Sequence, residues 1–428
     1  MPTPAAQDPI TLRPERLVAG GDALARLDDG RVAFVTGALP DEEVEVVVDV
    51  DRSDFVRAAL TEVVDPSPDR VVPTCPFRRD GCGGCGWMHL APHAQLDAKI
   101  EIVTESLRRI GRFDASEVAR LVRSGGAVDP YGYRTSIRLV GTPGRGVGYR
   151  EERSDRVVPI DHCQIAHENL SRIIREVEVA PGVELSLRTS VATDAVTARW
   201  TRPEDRRRRG ERRRTNVAAG ESVKGLPGDV HIGDRAFLVE RVSGVDLRVS
   251  APSFFQSGVD AAEMLVDAVE RAAPELVGAG HAVDAYAGVG LFAATAMRHA
   301  RHVTVVESSR SSCFDAKENL RHRSGSGDRS VAIARTDVAR WEPDSANGAV
   351  DVVVADPGRP GLAKPGTGAI ERTAAPVVVL VSCDPVSLAR DARLLTEIGY
   401  GVDDVEVLDI FPQTPHVECV TRFTRRGD

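Results

Sequence analysis

Apolar and polar positions along the chain fall into three regimes. Between residues 10 and 65 short runs with β character alternate with turn residues: Ile10-Thr11-Leu12, Arg31–Val35, Glu43–Val48 and Ala58–Val64, separated by Gly20-Gly21, Asp28-Asp29-Gly30 and Leu39-Pro40-Asp41. Several short strands in so few residues predict a small barrel of OB type. Residues 95–107 then carry apolar side chains at 96, 100, 103 and 107, the spacing of one helical face. Tyr133–Leu139 and Val147–Arg150 follow as a pair of strands bearing arginines and aromatics, a surface suited to phosphate contact and base stacking. From about residue 250 strand-like and helical patterns alternate, which predicts a parallel α/β sheet. Its strands are Ala282–Tyr286, His302–Val306, Val331–Ala334, Val350–Ala355, Val377–Val381, Val405–Ile410 and Glu418–Phe423, with a helix over 261–273.

These regimes divide the 428 residues into a leader (1–9), a β-barrel domain (10–65), a central α+β domain (66–250) and a C-terminal Rossmann-like domain (251–428) with seven strands. Hydrophobic content of 42% and charged content of 28% are those of an ordinary globular chain. No run approaches the length of a membrane span, and the N-terminus lacks the plan of a signal peptide, so a cytoplasmic protein is expected. A net charge of −9 excludes a uniformly basic binder but leaves room for local basic patches. One such patch is the interruption at 201–224, where Arg206–Arg209 and Arg212–Arg214 place seven like charges within nine positions. It reads equally as a solvated loop and as a source of salt-sensitive RNA affinity.

Candidate chemistry gathers at two places. Three of seven cysteines, Cys75, Cys82 and Cys85, have C-x6-C-x2-C spacing, and Cys163 is a candidate fourth ligand. Four thiolates fit either zinc or an iron–sulfur cluster. In the C-terminal domain, Asp284–Phe292 is a strand followed by a glycine turn that opens a helix, with Glu307 placed at the end of the next strand to accept ribose hydroxyls. The turn lacks the third glycine of a dinucleotide fingerprint, which favours S-adenosylmethionine over NAD. Asp337, after the third strand, is placed to meet the adenine amino group. Cys383 ends the strand Pro376–Val381, where α/β sheets do chemistry, and is read as a nucleophile toward a nucleic-acid base rather than as a core thiol.

Taken in order, these motifs resemble the bacterial RNA 5-methyluridine methyltransferases over nearly the whole chain, of the 23S rRNA type. The matching residues are Gly20-Gly21, Gly30–Val35 and Gly37–Pro40 of a TRAM-like domain; Cys82-Gly83-Gly84-Cys85 with Trp87-Met88-His89 and Asp161-His162-Cys163; Ser253–Gln256; Asp284–Phe292; Asp356–Leu362; Ser382–Pro385 with Leu388–Asp391; and Phe411–Thr414 with His416–Glu418. The resemblance implies a [4Fe–4S] cluster on Cys75, Cys82, Cys85 and Cys163. It also implies donor contacts from Gln256, Tyr286, Gly288, Glu307 and Asp356, with Cys383 as nucleophile and Glu418 as base. The implied partner is RNA, rRNA rather than tRNA, acted on by a monomer. Gly258, Gly358 and Asp384 depart from the family pattern, and a carboxylate at 384 is expected to raise the neighbouring thiol's pKa. An RNA cytosine-5 methyltransferase and a non-catalytic RNA-binding relative are the alternatives.

Overall fold

A computed structural model describes residues 8–202, 222–323 and 329–427; Arg206–Arg209 and Arg212–Arg214 lie outside the described residues. No described helix is long and apolar enough to cross a membrane.

The first body is a six-stranded sheet in the spatial order Ile10–Leu12, Glu43–Asp51, Phe55–Asp65, Val32–Thr36, Ala23–Arg26, Arg16–Leu17. Alternation in the sequence becomes alternation in burial: Val44 and Val46 are fully buried while Glu43 and Glu45 flank them half-exposed. Of the acids at 41–43, Glu42 points inward. It accepts from Leu39 N–H at 2.8 Å and is paired with Arg70, so it adds no charge to the outer face.

The second body is another six-stranded sheet, ordered Val157–Ile160, Val147–Arg150, Ser136–Gly141, Glu184–Thr189, Val196–Thr201, His231–Ile232. The helix Glu168–Glu176 covers one face with Leu170, Ile173 and Ile174. Arg153 from this body reaches Asp22 of the first at 2.8 Å, joining the two.

The C-terminal sheet has eight strands where the pattern predicts seven. In chain order they are β1 (Val122–Ala127), β2 (His281–Ala285), β3 (His302–Glu307), β4 (Ser330–Arg335), β5 (Val352–Ala355), β6 (Val377–Ser382), β7 (Tyr400–Asp409) and β8 (Glu418–Arg425). The spatial order is β4-β3-β2-β5-β6-β8-β7-β1. β4 through β6 run parallel, and β8 lies antiparallel between β6 and β7. The unforeseen strand is β1, which adds in parallel to β7 at the edge. Its Gly125-Gly126 hides the strand from any alternation rule. A Cβ at 125 would lie 2.3 Å from Leu408 Cδ2, so any larger residue there would have to displace the Leu408 and Glu406 side chains. Central strands β5 and β6 are buried along their whole length, as expected where helices cover both faces. The helix Pro92–Ser106 supplies Val103 to that cover.

Candidate active site

The carboxyl ends of β2, β3, β5 and β6 open on one cavity of about 750 Å³, lined among others by Gln256, Tyr286, Gly288, Glu307, Asp356, Cys383 and Glu418. Seven residues expected from separate motifs are thus brought together. Asp337 is not among them. It is exposed, and its carboxylate accepts the Ala339 N–H at 2.9 Å, although its charge is still felt at the Tyr286 hydroxyl.

One wall is built by the turn after β2. Tyr286 holds φ +60°, a left-handed value that a bulky side chain rarely adopts, followed by Gly288 at +55° and Gly290 at +82°. The turn is pinned from both sides. Glu307 accepts from Gly288 N–H at 2.9 Å and Ser309 N–H at 2.6 Å. Asp284, fully buried, accepts from Ala293 N–H at 2.9 Å while its other oxygen has no partner; burial pushes this carboxyl up to about 8.

Opposite stand the thiol and its acids. Ser382 ends β6 directly across from Cys419 in β8, so the chain continues to Cys383 and Glu418 at facing positions just beyond that rung. Burial first, then the charges of Glu418 and Asp356, push the Cys383 thiol up to about 12, with Arg359 acting in the other direction. Burial and the facing Asp356 hold the Glu418 carboxyl well above the usual carboxylate range, and burial raises Asp356 as well.

Asp384 departs from its expected role. Its carboxylate turns away to cap the helix Pro385–Glu397, accepting from Ser387 N–H at 2.7 Å, and the charges acting on the thiol are those of Glu418 and Asp356. Asn and Asp cap equally well, so this departure is a local exchange at a helix start. Gly258 is likewise a packing demand: a Cβ there would lie 2.2 Å from the Tyr133 carbonyl oxygen.

The same helix fastens the loop after β5. Ser387 Oγ donates to Arg359 O at 2.6 Å, and Asp391 accepts from Leu362 N–H at 2.6 Å and Ala363 N–H at 3.0 Å. Gly361, at φ +70°, is required, since a Cβ would lie 2.1 Å from Asp391 Oδ2. The backbone at Arg359 and Leu362-Ala363 is therefore held by the helix that starts beside the thiol. Arg359 lies 3.2 Å from the ring nitrogens of His416, whose pKa is pushed down to about 4 by burial and then by Arg359.

Cys75, Cys82, Cys85 and Cys163 converge from two segments on a separate cavity of about 210 Å³. Burial, together with the other thiols of the set, pushes Cys85 up to about 12. Among the described residues, however, no three His, Cys, Asp or Glu side chains gather closely enough to hold a metal ion. The four thiols line this void without closing on one point. Arg134 was not foreseen as a junction. It lines the donor cavity, the thiol cavity and a third cavity of about 510 Å³ that also holds Arg138, Arg188 and Arg199. A single arginine just ahead of a strand carries no sequence signal for this.

No family model matches the chain. It is 34% identical over 419 residues to an uncharacterized RNA methyltransferase of Streptomyces coelicolor, covering 94% of this chain and 89% of that protein. It is 29% identical to an uncharacterized RNA methyltransferase of Gloeobacter violaceus, over 97% of this chain and 96% of that one. Among solved structures, the fold matches a tRNA (uracil-54, C5)-methyltransferase of Pyrococcus abyssi in complex with S-adenosyl-L-homocysteine. The TM-score is 0.66 at 24% identity, covering 96% of this chain and 100% of that one. With its length matched almost end to end at this identity, the chain belongs to the RNA methyltransferase family.

Proposed function

We propose that this protein transfers a methyl group from S-adenosylmethionine to carbon 5 of a uridine in RNA, through a covalent bond between Cys383 and carbon 6. The observation that carries the reading is the meeting of Cys383, Glu418 and Asp356 in one cavity with the Gly288 turn and Glu307. S-adenosylmethionine, held by Gln256, Glu307 and Asp356, supplies an electrophilic methyl group. Carbon 5 of uracil is too weak a nucleophile to take it unaided. The Cys383 thiolate adds to carbon 6 and moves electron density to carbon 5, which takes the methyl. Glu418 then removes the carbon 5 proton, the carbon 5–carbon 6 double bond re-forms, and Cys383 leaves. The target base must swing out of its stack to reach a thiol at the floor of the cavity. A TRAM-like role in RNA binding is assigned to residues 10–65.

Cys75, Cys82, Cys85 and Cys163 are proposed as ligands of a [4Fe–4S] cluster with a structural role, since methyl transfer moves no electron to or from a metal. The choice between rRNA and tRNA stays with the assay. The Pyrococcus tRNA enzyme shares the fold over 96% of this chain, so an N-terminal β-domain is no mark of an rRNA target.

The test is incubation with donor and 5-fluorouridine-substituted 23S rRNA or tRNA, followed by denaturing gels. A covalent RNA–protein band that disappears in Cys383→Ala is expected. Absence of the band with RNA binding intact would sink the enzymatic reading, and a band persisting in Cys383→Ala would sink the assigned nucleophile.

A further inference from the structure

Two polar side chains on the helix Pro92–Ser106, Gln95 and Lys99, are fully buried one turn apart. An ammonium group there loses its hydration, a penalty that only good partners offset. Those partners lie about three hundred residues downstream. Lys99 Nζ donates to Asp409 Oδ1 and to the Phe411 carbonyl at 3.2 Å. Gln95 Oε1 accepts from Gln413 N–H at 2.6 Å, and its amide donates to Gln413 Oε1 at 3.2 Å. Trp87 N–H donates to the Gln413 carbonyl at 3.0 Å, and the Tyr133 hydroxyl donates to the Pro412 carbonyl at 3.1 Å.

The target of this clamp is the turn from β7 to β8. The turn holds Gln413 at φ +66°, an unfavourable value for a residue with a side chain. It also delivers Phe411, His416 and Glu418 to the donor cavity. Glu418 is the first residue of β8, paired only at the terminal rung with Leu408, where a ladder gives least restraint. Left to the ladder alone, the carboxyl could swing out of line with the bound base.

We propose that Lys99 and Gln95 are positioning residues for Glu418, holding its turn from outside so that the proton-removal step follows methyl transfer. This deepens the uridine reading above and rests on it. If Glu418 drifts, Cys383 can still add to carbon 6 and carbon 5 can still take the methyl. The carbon 5–hydrogen bond then stays unbroken, its electron pair cannot form the double bond, and the carbon 6–sulfur bond persists.

The experiment uses the full-length protein, ordinary uridine RNA and labelled donor. The variants are Gln95→Leu and the charge-neutral pair Lys99→Met/Asp409→Asn, with Tyr133→Phe as a mild variant that removes one hydroxyl. Single-turnover methyl transfer is expected to stay within about threefold of wild type, while multiple turnover falls at least about tenfold. A methylated covalent adduct on unsubstituted RNA should accumulate at least about tenfold above wild type, and about threefold in Tyr133→Phe. Turnover and single-turnover transfer falling together without adduct, or wild-type turnover in all variants, overturns the positioning role alone. Wild-type protein that forms no adduct on 5-fluorouridine RNA overturns the uridine reading and this inference with it.

Discussion

Replacing Glu418 by Gln should wake the Cys383 thiol, and replacing Asp384 by Asn should not. With a pKa of about 12, Cys383 is a thiolate in only about one molecule in ten thousand at pH 8, against about one in four for an ordinary thiol. Beyond burial, the charges responsible are Glu418 and then Asp356. A neighbouring charge at contact range moves a pKa by roughly 1–3 units, so Glu418→Gln should lower the midpoint by at least about one unit. The alkylation rate at pH 8 then rises about tenfold or more, since each unit is tenfold in thiolate. Asp384→Asn should leave the midpoint in place, because the Asp384 carboxylate is engaged with Ser387 N–H at the helix start. Asp384→Ala should also leave the midpoint in place while costing about 1 kcal/mol of stability through the lost cap. The assay is iodoacetamide labelling between pH 7 and 11, read by mass spectrometry on the Cys383 peptide. A downward shift in Asp384→Asn as large as that in Glu418→Gln would refute the electrostatic assignment.

Gly361→Ala forces a Cβ against Asp391 into a left-handed backbone, a strain of about 1–3 kcal/mol; melting temperature and S-adenosylhomocysteine affinity by calorimetry should both fall. Glu307→Gln weakens charge-assisted hydrogen bonds worth about 1.5–3 kcal/mol each, so S-adenosylhomocysteine should bind about 10- to 100-fold more weakly with RNA affinity unchanged. Asp284 has a folded-state pKa raised to about 8, so its contribution is present below the unfolded value of 3.8 and is lost as pH rises toward about 8. Asp284→Asn should therefore gain stability relative to wild type at pH 8 and not at pH 4 in urea melts. Anaerobic reconstitution with iron and sulfide should give a visible cluster absorption in wild type, lost in Cys163→Ala while Cys313→Ala retains it.

What the pattern of residues made legible was whatever repeats at short range. β5 and β6 are almost unbroken apolar runs and β2 and β3 are mostly apolar ones, and each lies close to where the pattern puts it. β1 escaped because its Gly125-Gly126 has no side chains to alternate. Its place is set by Leu408 and Glu406 of a strand nearly three hundred residues away. Within the site, residues carried on motifs (Cys383, Glu418, Asp356, Glu307) line one cavity, because their motifs stand at strand ends along one edge of the sheet. Asp384 was misread because sequence adjacency says nothing of direction. Two residues in a row at a strand-to-helix junction point apart, one into the cavity and one along the helix axis. Gln95 and Lys99 were invisible for a related reason. They occupy the polar side of the helical pattern, and only the returning turn at 411–413 makes that side an interior.

The cavity is acidic where a nucleophilic thiol would want cations. Glu307, Asp356 and Glu418 face it against Arg134 and Arg359, and the opposing charge at Cys383 is that of Arg359. A site so charged suits a donor that carries a positive sulfonium and is indifferent to its neutral thioether product. The acids that suppress the thiol in the empty cavity are then the groups a cationic donor would offset. Cys383 would become a competent nucleophile only once the donor is in place, and an uncommitted thiolate would not attack bases at random. Addition of S-adenosylmethionine should therefore raise the labelling rate of Cys383 where S-adenosylhomocysteine, which fills the same space without the charge, does not. Equal effects of the two ligands would assign the change to shielding or closure of the cavity and remove the electrostatic coupling between donor and thiol.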